Sequence, residues 1–394
     1  MSLNQTVSAE RVHIGFFGMR NAGKSSLVNA VTGQSLSVVS EVLGTTTDPV
    51  KKAMELLPLG PVVIIDTPGF DDEGELGGKR VEKTNQILAK TDVAILVVDA
   101  LKGISAGDEV LIDAFKGRGV PYVIAFNKCE LLSEKKELNS NEIYVSAKEN
   151  INIFELKEML GGLAAVTEKK HVVADLVTRG DLVVLVTPID EAAPKGRLIL
   201  PQQMTIRDLL EANCTVVVCQ DTELEATLKA LSKKPRLVIT DSQCFRAVTE
   251  IVPENIALTS FSILMARYKG ELDVLIDGAE GLSKIKNGDK ILISEGCTHH
   301  RQCNDIGTVK IPAMIKKFTN AEVEFTFTSG GDFPQDLSGF ALVVHCGGCT
   351  LNEREMRHRI SLAREQGVPI VNYGMAIAKM TGILEKSING IRNS

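Results

Sequence analysis

Gly18-Met19-Arg20-Asn21-Ala22-Gly23-Lys24-Ser25 fits the pattern G-x-x-x-x-G-K-[ST]. It follows an apolar run, residues 12–17, that reads as a strand, and it opens a segment, 24–31, with helical periodicity. A phosphate-binding loop needs that context. Glycines let successive backbone N–H groups turn inward, the helix N-terminus adds partial positive charge, and Lys24 reaches the terminal phosphate oxygens. Ser25 is placed to hold Mg²⁺, and Gly18, Asn21, Ala22, Gly23 and Ser26 complete the cofactor-binding loop. Further strand-like runs follow at 62–66, 93–99, 122–127 and 143–146, with helical patterns at 78–90 and 107–116. A shorter run, 52–57, closed by Pro58, reads as an extra edge strand. This alternation predicts an α/β domain with a largely parallel sheet.

The chain has 394 residues, enough for two or three domains, and its 44% hydrophobic and 24% charged content is that of a globular protein. A net charge of −6 argues against nucleic-acid binding by bulk electrostatics. No apolar run is long enough for a membrane span, and the first residues lack the features of a signal peptide. The expectation is a cytoplasmic protein whose eight cysteines are thiols or metal ligands, not disulfides.

A helix around 153–160 is expected to end at Gly161-Gly162, with 164–170 as a linker. A second group of strand runs lies at 181–187, 214–219, 237–240 and 256–259, with helical stretches at 204–212 and 221–231. A third lies at 290–294, 323–328, 342–345 and 370–372, with helices expected at 268–278, 305–318, 352–366 and 375–384. The predicted organisation is α/β throughout: an N-terminal P-loop domain (1–168), a middle βαβ domain (169–263) and a C-terminal α/β domain (264–394). No internal repeat is visible in the sequence.

Motifs at the other strand ends extend the nucleotide reading. Asp66-Thr67-Pro68-Gly69 puts a carboxylate within reach of the Mg²⁺ shell and a Gly69 N–H within reach of a γ-phosphate. Asn127-Lys128-Cys129-Glu130 and Ser146-Ala147-Lys148 end later strands and carry guanine selectivity, because a carboxylate accepts from the N1–H and 2-amino group. Gly44-Thr45-Thr46-Thr47-Asp48 is placed to be a switch that a γ-phosphate orders. In this order the pieces resemble a translation-factor-class GTPase domain of the TrmE/Era group. That resemblance makes Thr46 a Mg²⁺ ligand, with Thr45 the alternative, and gives Asn21 a K⁺ ion beside the phosphates. It also implies slow intrinsic hydrolysis, since Phe70 stands where signalling GTPases carry a glutamine.

Four cysteines separate themselves by position. Cys297 lies in Cys297-Thr298-His299-His300-Arg301-Gln302-Cys303, just after one strand run, and Cys346 and Cys349 lie in His345-Cys346-Gly347-Gly348-Cys349, just after another. From residue chemistry alone four readings stay open: a [4Fe–4S] cluster on three cysteines, structural Zn²⁺ with His299 as a ligand, a redox dithiol at Cys346 and Cys349, or buried thiols. A GTPase followed by C-x-H, 45 intervening residues and H-C-x-x-C resembles the HydF family of [FeFe]-hydrogenase maturation GTPases. The resemblance implies that Cys297, Cys346 and Cys349 hold a [4Fe–4S] cluster. It further implies that the protein carries a diiron precursor made by the radical-SAM maturases HydE and HydG to apo-[FeFe]-hydrogenase, and that the middle domain forms a homodimer. His299 and His345 are candidates for the fourth cluster ligand or for supporting hydrogen bonds. The rival reading is a ribosome-assembly or tRNA-modification GTPase with a zinc site. Arg354, Arg357, Arg359 and Arg364 are expected to form a solvated face.

Overall fold

The computed structural model describes residues 10–34, 50–67, 84–165, 170–189, 198–296 and 305–392. The chain divides into two compact units, Met1–Glu168 and Lys169–Ser394. In the first, a six-stranded sheet runs β2-β3-β1-β4-β5-β6, with β1 Val12–Phe17, β2 Val50–Leu56, β3 Gly60–Asp66, β4 Val93–Asp99, β5 Tyr122–Asn127 and β6 Glu142–Tyr144. Only the β2–β3 pair is antiparallel. The central strands are apolar at nearly every position because both faces are covered. Along β4, Val93, Ile95 and Val97 enter one core while Ala94, Leu96 and Val98 enter the other, the two-residue alternation of a strand. The connections turn to opposite sides at β1, so the loop after β1 opens at the carboxyl edge where such sheets take ligands.

One element of this unit departs from the sequence reading. The helix Ile153–Ala165 runs through Gly161-Gly162 instead of ending there. Gly161 faces Pro58, and a Cβ added to it would lie 3.2 Å from the proline ring. The partly buried Leu163 and Ala164 pack onto the core, and that burial outweighs the low helix propensity of glycine.

The second unit holds two parallel four-stranded sheets. In one, β7 Leu182–Val186, β8 Thr215–Cys219, β9 Leu237–Thr240 and β10 Ala257–Ser260 take the order β10-β9-β7-β8. In the other, β11 Lys290–Glu295, β12 Glu324–Ser329, β13 Leu342–His345 and β14 Ile370–Asn372 take the order β12-β11-β13-β14. Counted within each sheet, both read second-first-third-fourth: one topology used twice, although the sequence shows no repeat. A continuous core including Val184, Ile239, Leu264, Leu275, Ile293 and Val344 joins them.

The helix expected at 268–278 is two helices, Phe261–Lys269 and Leu272–Glu280, broken at Gly270. A Cβ there would lie 2.8 Å from the carbonyl oxygen of Ala266. The stretch expected at 375–384 is likewise the helix Tyr373–Met380, followed by a turn through Gly382 and a further helix, Leu384–Arg392. Helix Leu272–Glu280 packs so closely on β14 that a Cβ at Gly278 would lie 1.8 Å from the Ile370 carbonyl oxygen. Gly278→Ala must push helix and strand apart and is expected to cost about 3 kcal/mol. Thermal unfolding of the variant checks this, the melting transition of the second unit falling by several degrees.

Candidate functional site

The phosphate loop is built by backbone constraint. Gly18 has φ 148° and Gly23 has φ 85°, with Gly23 capping helix Lys24–Thr32 in the left-handed conformation. A Cβ on Gly18 would lie 2.3 Å from the Val97 carbonyl oxygen, and one on Gly23 would lie 2.2 Å from Asn127 Nδ2. Asn127 buttresses the loop. Its Nδ2 donates to the Ala22 carbonyl at 3.0 Å, and its Oδ1 accepts from the Ala147 N–H at 3.1 Å. Lys128 Nζ donates to the Asn21 carbonyl at 2.8 Å and to Asp99 Oδ2 at 2.6 Å. Ser146 is wholly buried and its Oγ accepts from the Glu149 N–H, while Lys148 is exposed. The three strand-end motifs of β1, β5 and β6 thus form one hydrogen-bonded assembly.

Two charged groups, one opening the helix after the phosphate loop and one ending β3, suit an anion and a cation respectively. Lys24 is 7% exposed; burial lowers its pKa to about 8, with Asp66 pulling the other way. Burial raises the Asp66 carboxyl, opposed by Lys24, and its Oδ1 is buried with no hydrogen-bond partner. A Mg²⁺ shell fits that orphaned oxygen, and phosphate oxygens fit the desolvated ammonium. Thr67 Oγ1 donates to the Phe16 carbonyl at 2.6 Å, tying the end of β3 to β1. Glu130 Oε2 is also buried without a partner, an acceptor available to the donors of a guanine edge. Thr45, Thr46, Gly69 and Phe70 lie outside the described residues.

The second candidate site lies at the carboxyl edge of the second sheet in the latter unit. Ser294 of β11 pairs with His345 of β13, so the loops that follow these strands start side by side. The Gly296 N–H donates to Cys346 Sγ at 3.0 Å, the Gly348 N–H to the same sulfur at 3.4 Å, and Thr350 Oγ1 to the Gly296 carbonyl at 2.9 Å. Two backbone N–H groups thus point at one sulfur, an arrangement that also suits a metal-bound thiolate. Burial pushes the Cys349 thiol up, while Lys269 acts in the opposite sense. Cys297, His299, His300 and Cys303 lie outside the described residues. Among the described residues no three His, Cys, Asp or Glu side chains group as a metal site.

His345 is wholly buried and both ring nitrogens are engaged. Nδ1 sits 2.7 Å from the Cys346 carbonyl oxygen and Nε2 3.0 Å from Arg359 Nη1. Burial, then Arg359, pushes its pKa down to about 3, so the ring is neutral, with the proton on Nδ1 set by this network. In this arrangement no ring nitrogen remains for a metal. Arg359 corrects the solvated-face expectation: it is 1% exposed, donating to Glu355 Oε1 at 2.7 Å and to the Gly330 carbonyl at 2.6 Å. It also stacks 5.0 Å from the Phe333 ring centroid. The signal was present, since Met356, Arg359, Ile360 and Ala363 share one helical face of helix Glu353–Glu365. Lys269, 2% exposed and bonded to the carbonyls of Gly348, Cys349 and Leu351, carried no comparable signal.

Fold and loop geometry define the first unit as a P-loop GTPase domain, and residues 13–128 match the profile described as 50S ribosome-binding GTPase. Residues 172–270 match the Hydrogen maturase F dimerization domain and residues 273–390 the Hydrogen maturase F tetramerization domain. Together those two take in more than half of the chain, and the chain belongs to the HydF family. GTPase Der of Kosmotoga olearia is 34% identical over 170 residues, 38% of this chain and 38% of its own length. The tRNA modification GTPase MnmE of Heliobacterium modesticaldum is 34% identical over 179 residues, 39% of this chain and 38% of its own. The chain therefore spans little more than a third of these curated relatives. Era of Aquifex aeolicus bound to GDP and AlF4⁻ matches at 20% identity and a TM-score of 0.35, over 53% of this chain and 92% of that one.

Lys24 must be protonated to hold phosphate, and a bound anion raises its pKa, so the complex holds more protons than the free protein. Guanine-nucleotide affinity should be flat below about pH 7 and fall by up to about tenfold per unit above about pH 8. Fluorescence titration with GDP across that range checks the slope, and a Lys24→Ala variant should lose both the slope and about 10²–10³-fold in GTP turnover.

Proposed function

We propose that this chain is a GTP-hydrolysing scaffold of [FeFe]-hydrogenase maturation. In this reading it holds a [4Fe–4S] cluster on Cys297, Cys346 and Cys349 and carries a diiron precursor from HydE and HydG to apo-hydrogenase in the cytoplasm. The observation that carries the reading is the Gly296 amide on the Cys346 sulfur. Gly296 precedes Cys297 in the chain, so the two thiol-bearing loops leave adjacent strands within one hydrogen bond of each other. The donor set fits, being thiols with backbone N–H groups directed at sulfur. When bound, a cluster held by three thiolates keeps one iron site for an exchangeable ligand. His345 orients the Cys346 carbonyl, and Arg359 holds His345.

In the first unit Lys24 binds the terminal phosphate oxygens, Ser25 and Asp66 serve the Mg²⁺ shell with Thr46, and Gly69 donates to the γ-phosphate. Asn21 serves K⁺, and Glu130 selects guanine, with Asn127, Lys128, Ser146, Ala147 and Lys148 shaping the base pocket. Support for a homodimer through the middle sheet comes from β8, an edge strand with four β-branched residues, Thr215, Val216, Val217 and Val218, that among the described residues pairs with β7 alone and leaves Val218 45% exposed. Among the described residues no helix is long and apolar enough to cross a membrane.

Anaerobic reconstitution with iron and sulfide tests the reading. The full-length protein is expected to turn brown with equal iron and sulfide and to bleach on reduction, while Cys346→Ala retains little of either. A colourless protein with stoichiometric zinc would support the tRNA-modification or ribosome-assembly alternative.

A further inference from the structure

Lys269 ends helix Phe261–Lys269, inside the stretch matched by the dimerization profile, whereas the cysteine turn lies inside the tetramerization profile. Its Nζ donates to the carbonyl oxygens of Gly348 at 3.1 Å, Cys349 at 2.9 Å and Leu351 at 2.7 Å. One ammonium thereby gathers the turn that follows β13. The turn in its place holds the start of the other loop. Thr350 Oγ1 donates to the Gly296 carbonyl, and Leu351 packs against Gly296 so closely that a Cβ there would lie 2.7 Å from Leu351 Cγ. Gly348, held at φ 61°, gives its N–H to Cys346 Sγ and its carbonyl to Lys269.

A lysine is almost never fully buried without partners, and removing an ammonium from water costs several kcal/mol. A neutral donor would hold a turn at lower cost. What a neutral donor cannot supply is a fixed positive charge beside a group that carries net negative charge, as a cluster on three thiolates does.

We propose that Lys269 is the positioning residue of the cluster loop: from the dimerisation module it fixes the turn bearing Cys346 and Cys349 and sets a positive charge behind the cluster. This rests on the cluster reading of the three cysteines. Two consequences follow. The sulfur spacing depends on a residue outside the cluster module, and the charge favours the reduced, more negative state of the cluster.

The test uses the full chain, reconstituted anaerobically as wild type, Lys269→Gln and Lys269→Met. Lys269→Gln keeps donors without charge and guards against a failure of the methionine variant to fold. In both variants the midpoint potential should shift negative, and iron release to a chelator should quicken by about tenfold or more. In Lys269→Gln, amide exchange across residues 346–351 should also rise, while GTP turnover stays at the wild-type level. A wild-type-like potential together with wild-type-like iron release in a loaded Lys269→Gln protein overturns the role of Lys269 and leaves the cluster reading standing. A wild-type chain that takes up no cluster overturns that reading and this inference with it.

Discussion

The parallel pairing of β11 with β13 is the contact from which the rest of the second unit's chemistry descends. Parallel strands start their loops at the same edge, and here the Ser294–His345 register leaves the Gly296 amide 3.0 Å from the Cys346 sulfur. A slip of one residue would turn His345 out of its buried position and carry Cys346 into the core. Arg359 guards the register from beneath, because its guanidinium bonds His345, Glu355 and the Gly330 carbonyl and could not satisfy all three after a slip.

The same logic governs the first unit. Its phosphate loop, the Asp66 motif and the guanine motif all leave the carboxyl edge of one sheet, and Asn127 ties the β1 loop to the β6 loop. Each region also keeps buried charged groups where ligands are expected. Lys24 and Asp66 face the phosphate site, and Lys269 and Arg359 underlie the cysteine turn. Such charges are costly in an apolar interior, and here each is held by specific partners: Asp66 beside Lys24, three carbonyls around Lys269, and Glu355, His345 and the Gly330 carbonyl around Arg359.

Much of this was legible in the sequence. The strands 12–17, 93–99, 122–127, 237–240, 342–345 and 370–372 were readable to the residue, because fully buried parallel strands are unbroken apolar runs bounded by turn residues. Helix ends were harder. Glycine stops the helix before Gly270, where backbone crowds it, yet fails to stop the one at Gly161, where helix and Pro58 meet closely. Burial of a charged residue was invisible for Lys269, whose partners are carbonyls 79 to 82 positions away in the chain. For Arg359 it was half visible, through the helical stripe it shares with Met356 and Ile360. The duplicated strand order was hidden for the opposite reason: topology recurs where packing geometry recurs, without any recurrence of residues.

The central claim is that the thiol after β11 and the two thiols after β13 converge on one centre. Treating the metal-free, reduced full chain with a short bifunctional thiol reagent and mapping the joined peptides tests it most directly. The account predicts a peptide bearing Cys297 linked to the peptide bearing Cys346 and Cys349. Linkage confined to Cys346 with Cys349, leaving Cys297 singly modified, would contradict it.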